Sequence, residues 1–129
     1  MPWDPSNEYL GFSQVKPWLM PAYKEGLTYE NALNDPSSIF YYYQKLIALR
    51  KEHEALIDGK YSLISKEDKV YIFERASEGK KIICILNFNV EEMDISQKLD
   101  LGHNKSLINN YPDFDLDKLK PYQAVILEV

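Results

Sequence analysis

The spacing of apolar residues changes twice along the chain, and the three textures it separates predict different structures. Residues 1–34 show no sustained periodicity and hold Trp3, Trp18 and four of the seven prolines. An irregular segment is expected there, with one short helical turn over 29–33. A stretch of that length without regular structure is commonly functional, or belongs against something else. Over 35–56 the apolar residues Ile39, Phe40, Tyr43, Leu46, Ile47 and Leu49 recur at helical spacing. Asp35 is the expected N-cap, Pro36 the first helical residue and Gly59 the stop, with Arg50, Lys51 and His53 placed to suit the negative end of the helix. From Lys60 onward the period falls to two. Strands are predicted over 61–64, 70–75, 81–88, 93–95, 105–109 and 124–129, with Glu78-Gly79 as a tight hairpin turn. Strands this short and closely spaced, with no helices between them, predict a mainly β architecture: an antiparallel meander or β-sandwich preceded by one long α-helix and an irregular N-terminal loop.

Composition narrows the field of partners. The 129 residues fit one domain, or one small domain with an appendage. A formal net charge of −5 argues against a nucleic-acid or anionic-membrane surface. No apolar run approaches the ~20 residues of a membrane span. The start, Met1-Pro2-Trp3-Asp4-Pro5, has neither the basic region nor the apolar stretch of a secretory signal. Cys84, the single cysteine, lies in the run Ile82-Ile83-Cys84-Ile85-Leu86 and is expected to be a buried, inert thiol. These features together suggest a cytoplasmic protein.

The search for chemistry returns little. His53 and His103 have no Cys or His neighbour at metal-ligand spacing, the five glycines are scattered, and no serine sits in a nucleophile-elbow pattern. No metal and no cofactor is expected. Glycosidic chemistry needs two carboxyl groups, ~5–5.5 Å apart in a retaining enzyme. Asp113, Asp115 and Asp117, beside Lys118 and Lys120, instead suggest a solvated turn, as do Glu91, Glu92, Asp94 and Asp100. Trp3 and Trp18 stand out, because each lies in a Pro-bearing loop: Pro2-Trp3-Asp4-Pro5 and Lys16-Pro17-Trp18-Leu19-Met20-Pro21. Such rings either stack on a ligand or plug the loop that carries them. Tyr41, Tyr42 and Tyr43, on the predicted helix, suit packing.

A set of ordered motifs adds a resemblance. Met1-Pro2-Trp3-Asp4, Gly11-Phe12-Ser13, Lys16-Pro17-Trp18-Leu19, Asn34-Asp35-Pro36-Ser37-Ser38-Ile39-Phe40-Tyr41-Tyr42-Tyr43 and Lys45-Leu46-Ile47-Ala48-Leu49-Arg50-Lys51 follow one another. The succession resembles the oligo-1,6-glucosidase group of the α-amylase superfamily, which includes trehalose-6-phosphate hydrolases and dextran glucosidases. The likeness is strong to about residue 65 and continues in character beyond it. It implies that residues 1–58 are the last loop and helix of a (β/α)₈ barrel, and 59–129 an antiparallel C-terminal β domain. It also implies that the nucleophile Asp, the acid/base Glu and the transition-state-stabilising Asp lie on barrel strands before the position of Met1. No catalytic residue is therefore assigned here, and the chain is expected to be a non-catalytic C-terminal fragment whose parent acts on short α-glucosides. The loop Pro21-Ala22-Tyr23-Lys24-Glu25-Gly26 departs from the family pattern and is shorter. Two other readings stand beside this one: a free-standing carbohydrate-binding module using Trp3 and Trp18, and a small enzyme with its own carboxylate pair. Without a barrel, the helix and the Trp3-to-Pro21 loop are expected to drive self-association.

Overall fold

The computed structural model describes residues 2–23 and 26–129; Met1, and Lys24 and Glu25 of the shortened loop, lie outside the described residues. Two compact units are present, 1–46 and 47–129, and the division between them falls inside the long helix.

In the first unit the chain folds back on itself through backbone contacts. The amides of Trp3 and Asp4 both donate to the Leu10 carbonyl, at 2.8 and 3.2 Å. Leu10 and Gly11 adopt left-handed conformations, and a Cβ on Gly11 would stand 3.2 Å from that of Trp3, so glycine is needed at this return. Helix α1 (Tyr29–Asn34) begins with Thr28, whose hydroxyl accepts from the Asn31 amide at 3.2 Å. Its next free amides, those of Tyr29 and Glu30, donate to the carbonyls of Pro2 and Trp3.

Helix α2 (Ile39–Glu52) starts about one turn later than Asp35 and Pro36 predict. Asp35 spends its carboxylate on the amide and hydroxyl of Ser37, at 2.8 and 2.7 Å, so 35–38 form a turn that leads into the helix. Ser38 then accepts the first helical bond, from the Tyr42 amide. At the other end α2 stops at Glu52, before Gly59. His53 takes an extended conformation, and the chain restarts as the four-residue α3 (Glu54–Ile57).

The second unit is built on a five-stranded antiparallel sheet: β1 (Lys60–Ser65), β2 (Val70–Ser77), β3 (Lys80–Asn87), β4 (Lys105–Asn109) and β5 (Ala124–Glu128), in the order β1-β2-β3-β5-β4. The apolar run at 82–86 falls in central β3, whose middle residues are buried on both faces; this explains why it does not alternate. Glu78 and Gly79 both have positive φ, the geometry of a two-residue turn suited to the strand twist, and Ser77 pairs with Lys80 across it.

On one face of the sheet Val70, Ile72, Ile83, Ile85, Val125 and Leu127 pack with Ile95, Leu101 and Leu119. The mainly β, antiparallel architecture expected from the sequence is therefore present. Among the described residues the covering layer contains no second sheet. Met93 and Leu119 form a single bridge, exchanging two 2.9 Å bonds, in place of the strand predicted over 93–95. The rest of that layer is irregular chain held by two buried amides. The Asn87 Nδ2 donates to the carbonyls of Glu91, Leu119 and Lys120, and the Gln123 Nε2 donates to Asp113 O and Asn109 Oδ1. Such amides hold a loop layer without strand pairing because each ties several backbone carbonyls to one buried side chain. On the opposite face of the sheet Ile82 and Cys84 pack with Ala55 of α3.

Candidate functional site

The two tryptophans differ. Trp3 is 45% exposed, and its ring meets Tyr29 edge-on at 5.4 Å; Tyr29 meets Phe40 at 5.7 Å, and Phe40 meets Tyr41 at 5.2 Å. This relay of T-shaped contacts joins loop, α1 and α2 and leaves one side of Trp3 open. Trp18 is 97% exposed, and among the described residues no aromatic contact reaches it. Trp3 is thus a loop anchor with a free face, and Trp18 a projecting ring. The structure gives no contact between them. The relay could not be read from spacing, because its members are brought together by the bonds of the Tyr29 and Glu30 amides to the Pro2 and Trp3 carbonyls and by the turn at 35–38 between α1 and α2.

The first unit exposes many apolar side chains, and on α2 the exposure continues one turn into the second. Phe12, Val15, Leu19, Met20 and Leu27 are exposed along the loop. On α2 the residues Ile39, Tyr43 and Ile47 are 76, 62 and 53% exposed. Four-residue spacing sets them one above another on a single helix face. Leu46, another of the apolar residues at helical spacing, is half-buried.

The carboxylates are occupied with structure. Asp4, Asp35 and Asp94 each accept from the amide and hydroxyl of a serine two residues on, and those serine bonds hold the carboxyl below its ordinary range. Asp113 is lowered by its 2.7 Å bond to the Lys120 ammonium. Asp115 accepts from the Asp117 amide and caps a short 3₁₀ turn, Leu116–Lys118. A glycosidic general acid needs the opposite displacement, upward, in an apolar setting. Among the described residues no cluster of three or more His, Cys, Asp or Glu could hold a metal ion. Cys84 is buried as expected, and burial pushes its thiol up to about 11.

With this geometry in place, comparison with known proteins is informative. Residues 1–59 match the family model described as the alpha amylase catalytic domain. Over 134 residues the chain is 36% identical to an oligo-1,6-glucosidase of Halalkalibacterium halodurans, with 96% of this chain and 24% of the relative covered. An alpha-glucosidase of Schizosaccharomyces pombe is 37% identical over all of this chain and 24% of its own length. Among solved structures, the trehalose-6-phosphate hydrolase of Bacillus licheniformis superposes with a TM-score of 0.84 at 33% identity, over 98% of this chain and 24% of that one. The chain thus spans about a quarter of the length of the relatives it matches. Sequence, fold and relatives agree: the chain belongs to the α-amylase family, in its oligo-1,6-glucosidase and α-glucosidase branch.

Proposed function

We propose that this chain is the non-catalytic C-terminal quarter of a retaining α-glucosidase that acts on short α-glucosides in carbohydrate metabolism. In this reading residues 1–58 complete the barrel and trim the entrance to its active site, and 59–129 form the β domain that follows. The observation that carries it is the exposed stripe Ile39, Tyr43 and Ile47, together with the apolar loop around Trp18, on a segment that matches a catalytic-domain family model. Such a surface stands ready for a large apolar partner, and the rest of a barrel is a partner of that kind. Trp3 and Trp18 would then face the sugar entrance, where a ring with one free face stacks on a pyranose. Cys84, a free and buried thiol, would suit a reducing compartment such as the cytoplasm.

The test is a chimera. In the Halalkalibacterium halodurans oligo-1,6-glucosidase the quarter that matches this chain is replaced by it, and isomaltose hydrolysis is measured beside the chain alone. The expected result is turnover by the chimera and none by the chain alone, with Trp18→Ala in the chimera raising KM more than it lowers kcat. Hydrolysis of an aryl α-glucoside by the chain alone, or a folded chimera without activity, would overturn the proposal.

A further inference from the structure

The contact between α3 and the sheet is small, and its composition is unusual. Of the four residues of α3 only Ala55 is buried, against Ile82 and Cys84, with Leu56 half-buried beside it. A lone methyl group and part of one leucine give this helix little apolar hold. What supplements them is Arg75 of β2. Its Nε donates to the Ala55 carbonyl at 3.2 Å, and its Nη2 donates to the Ile57 carbonyl, also at 3.2 Å. Both acceptors are late carbonyls of α3, which lack an intrahelical partner, and a guanidinium suits them twice: its planar fork reaches two oxygens, and its charge complements the helix's negative end. The chain on either side is shaped to let α3 sit there. His53 breaks the helical path with φ −115° and ψ 105°. Gly59 runs so close to Ala55 that a Cβ would collide with that carbonyl.

We propose that α3 is a hinged latch on the sheet, held shut by the Arg75 fork, which opens about His53 and Gly59 without unfolding the core. The core on the other face of the sheet, Val70, Ile72, Ile85, Val125 and Leu127 under Ile95 and Leu119, shares no side chain with this contact. Opening therefore lifts Ala55 and Leu56 off Ile82 and Cys84, which keep Phe73, Leu107 and Ile126 beside them, and leaves the larger cluster intact, the condition for a local opening that costs less than global unfolding.

Cys84 reports the state of the latch, because its thiol lies beneath Ala55. The experiment follows the labelling rate of that thiol by an aromatic disulfide in the full chain at fixed pH, with the unfolding midpoint measured in parallel. Arg75→Leu is expected to raise the rate about tenfold or more at a nearly unchanged midpoint. Arg75→Lys, which keeps the charge and loses the fork, is expected to fall between that variant and the parent chain. A rate unchanged in both variants, or one that rises only in proportion to lost global stability, would overturn the latch. If Arg75→Leu fails to fold, hydrogen exchange on the unaltered chain decides instead. The amides of Leu56 and Asp58, which donate to His53 and Glu54 carbonyls, should exchange well before those of β3. Exchange in step with β3 would refute the proposal.

Discussion

The first unit, residues 1–46, and the second, 47–129, hold themselves together by different means. Among the described residues of the first, only Leu10 and Thr28 are buried. Its order comes from backbone bonds, Asx turns and the edge contacts from Trp3 to Tyr41, while its largest apolar side chains face outward. The second buries a continuous apolar cluster on one face of a sheet, closes its covering loops with Asn87 and Gln123, and leaves none of the buried side-chain polar atoms described without a partner. Both segments carry ample hydrophobic residues, so composition does not separate them. What separates them is periodicity. Strands gather apolar residues onto the faces of one sheet, whereas the proline-rich loop and the short α1 offer no single face on which to do so. Hydrophobic residues that cannot converge locally are residues meant for another surface.

This contrast can be tested one side chain at a time. The largest effect is expected at Ile85, which is wholly buried at the centre of β3. Ile85→Ala should cost ~2–5 kcal/mol in denaturant unfolding, whereas Ile39→Ala, on the exposed stripe, should stay within about 0.5 kcal/mol and weaken self-association in sedimentation. Equal costs at both positions would erase the distinction between the units. Next is Asn87→Leu, which strands the Glu91 carbonyl and leaves those of Leu119 and Lys120 to the Met93 and Gln123 amides alone; a loss of roughly 1–3 kcal/mol is expected, with the 88–123 layer loosening first by amide exchange. A smaller, opposite effect is expected at Lys69. With Asp68 it holds a left-handed turn between β1 and β2, φ 54° and 56°. Relief of that conformation by Lys69→Gly should stabilise the second unit by about 1 kcal/mol, less what glycine adds to the freedom of the unfolded chain.

The gentlest probe is alkali. The Cys84 thiol ordinarily titrates near 9.0 and is raised to about 11 in the fold. The folded chain therefore keeps its proton where the unfolded chain has lost it. Stability from this source is whole below pH 9 and is lost as pH rises toward about 11. Cys84→Ala should flatten that slope in thermal unfolding without changing the profile near neutrality. At the acid end the sign reverses. Asp94 and Asp113 have lowered carboxyls, so their contribution is present above the ordinary carboxylate range and fades as pH falls below it.

Much of the second unit was legible in the sequence. The Ile82-to-Leu86 run identified the central strand because burial on both faces suppresses alternation, and Glu78-Gly79 identified its hairpin. The rest was hidden where a side chain overrode local preference. Asp35 suits an N-cap, yet its carboxylate closes a turn on Ser37 and delays α2. Met93 to Ile95 have strand-like character, but only one residue pair bridges, because the Ile95 amide turns to the Leu116 carbonyl instead of extending the ladder. The Arg75 fork and the Trp3 relay join residues far apart in the chain, and nothing in their spacing announces them. As for the candidate site, the sequence singled out Trp3 and Trp18 by their loops; that one is an anchored ring and the other a projecting one required coordinates.

The second unit is held by its own buried core, whereas the first keeps its largest apolar side chains at its surface. Native-state hydrogen exchange on the full chain, resolved by residue across a denaturant series, tests it most directly. The account predicts that the amides of Ile83, Cys84 and Ile85 exchange only through global unfolding, while those of Tyr29, Glu30 and Tyr42 exchange orders of magnitude faster through openings insensitive to denaturant. Equal protection on both sides of Leu46, lost in a single cooperative transition, would contradict it.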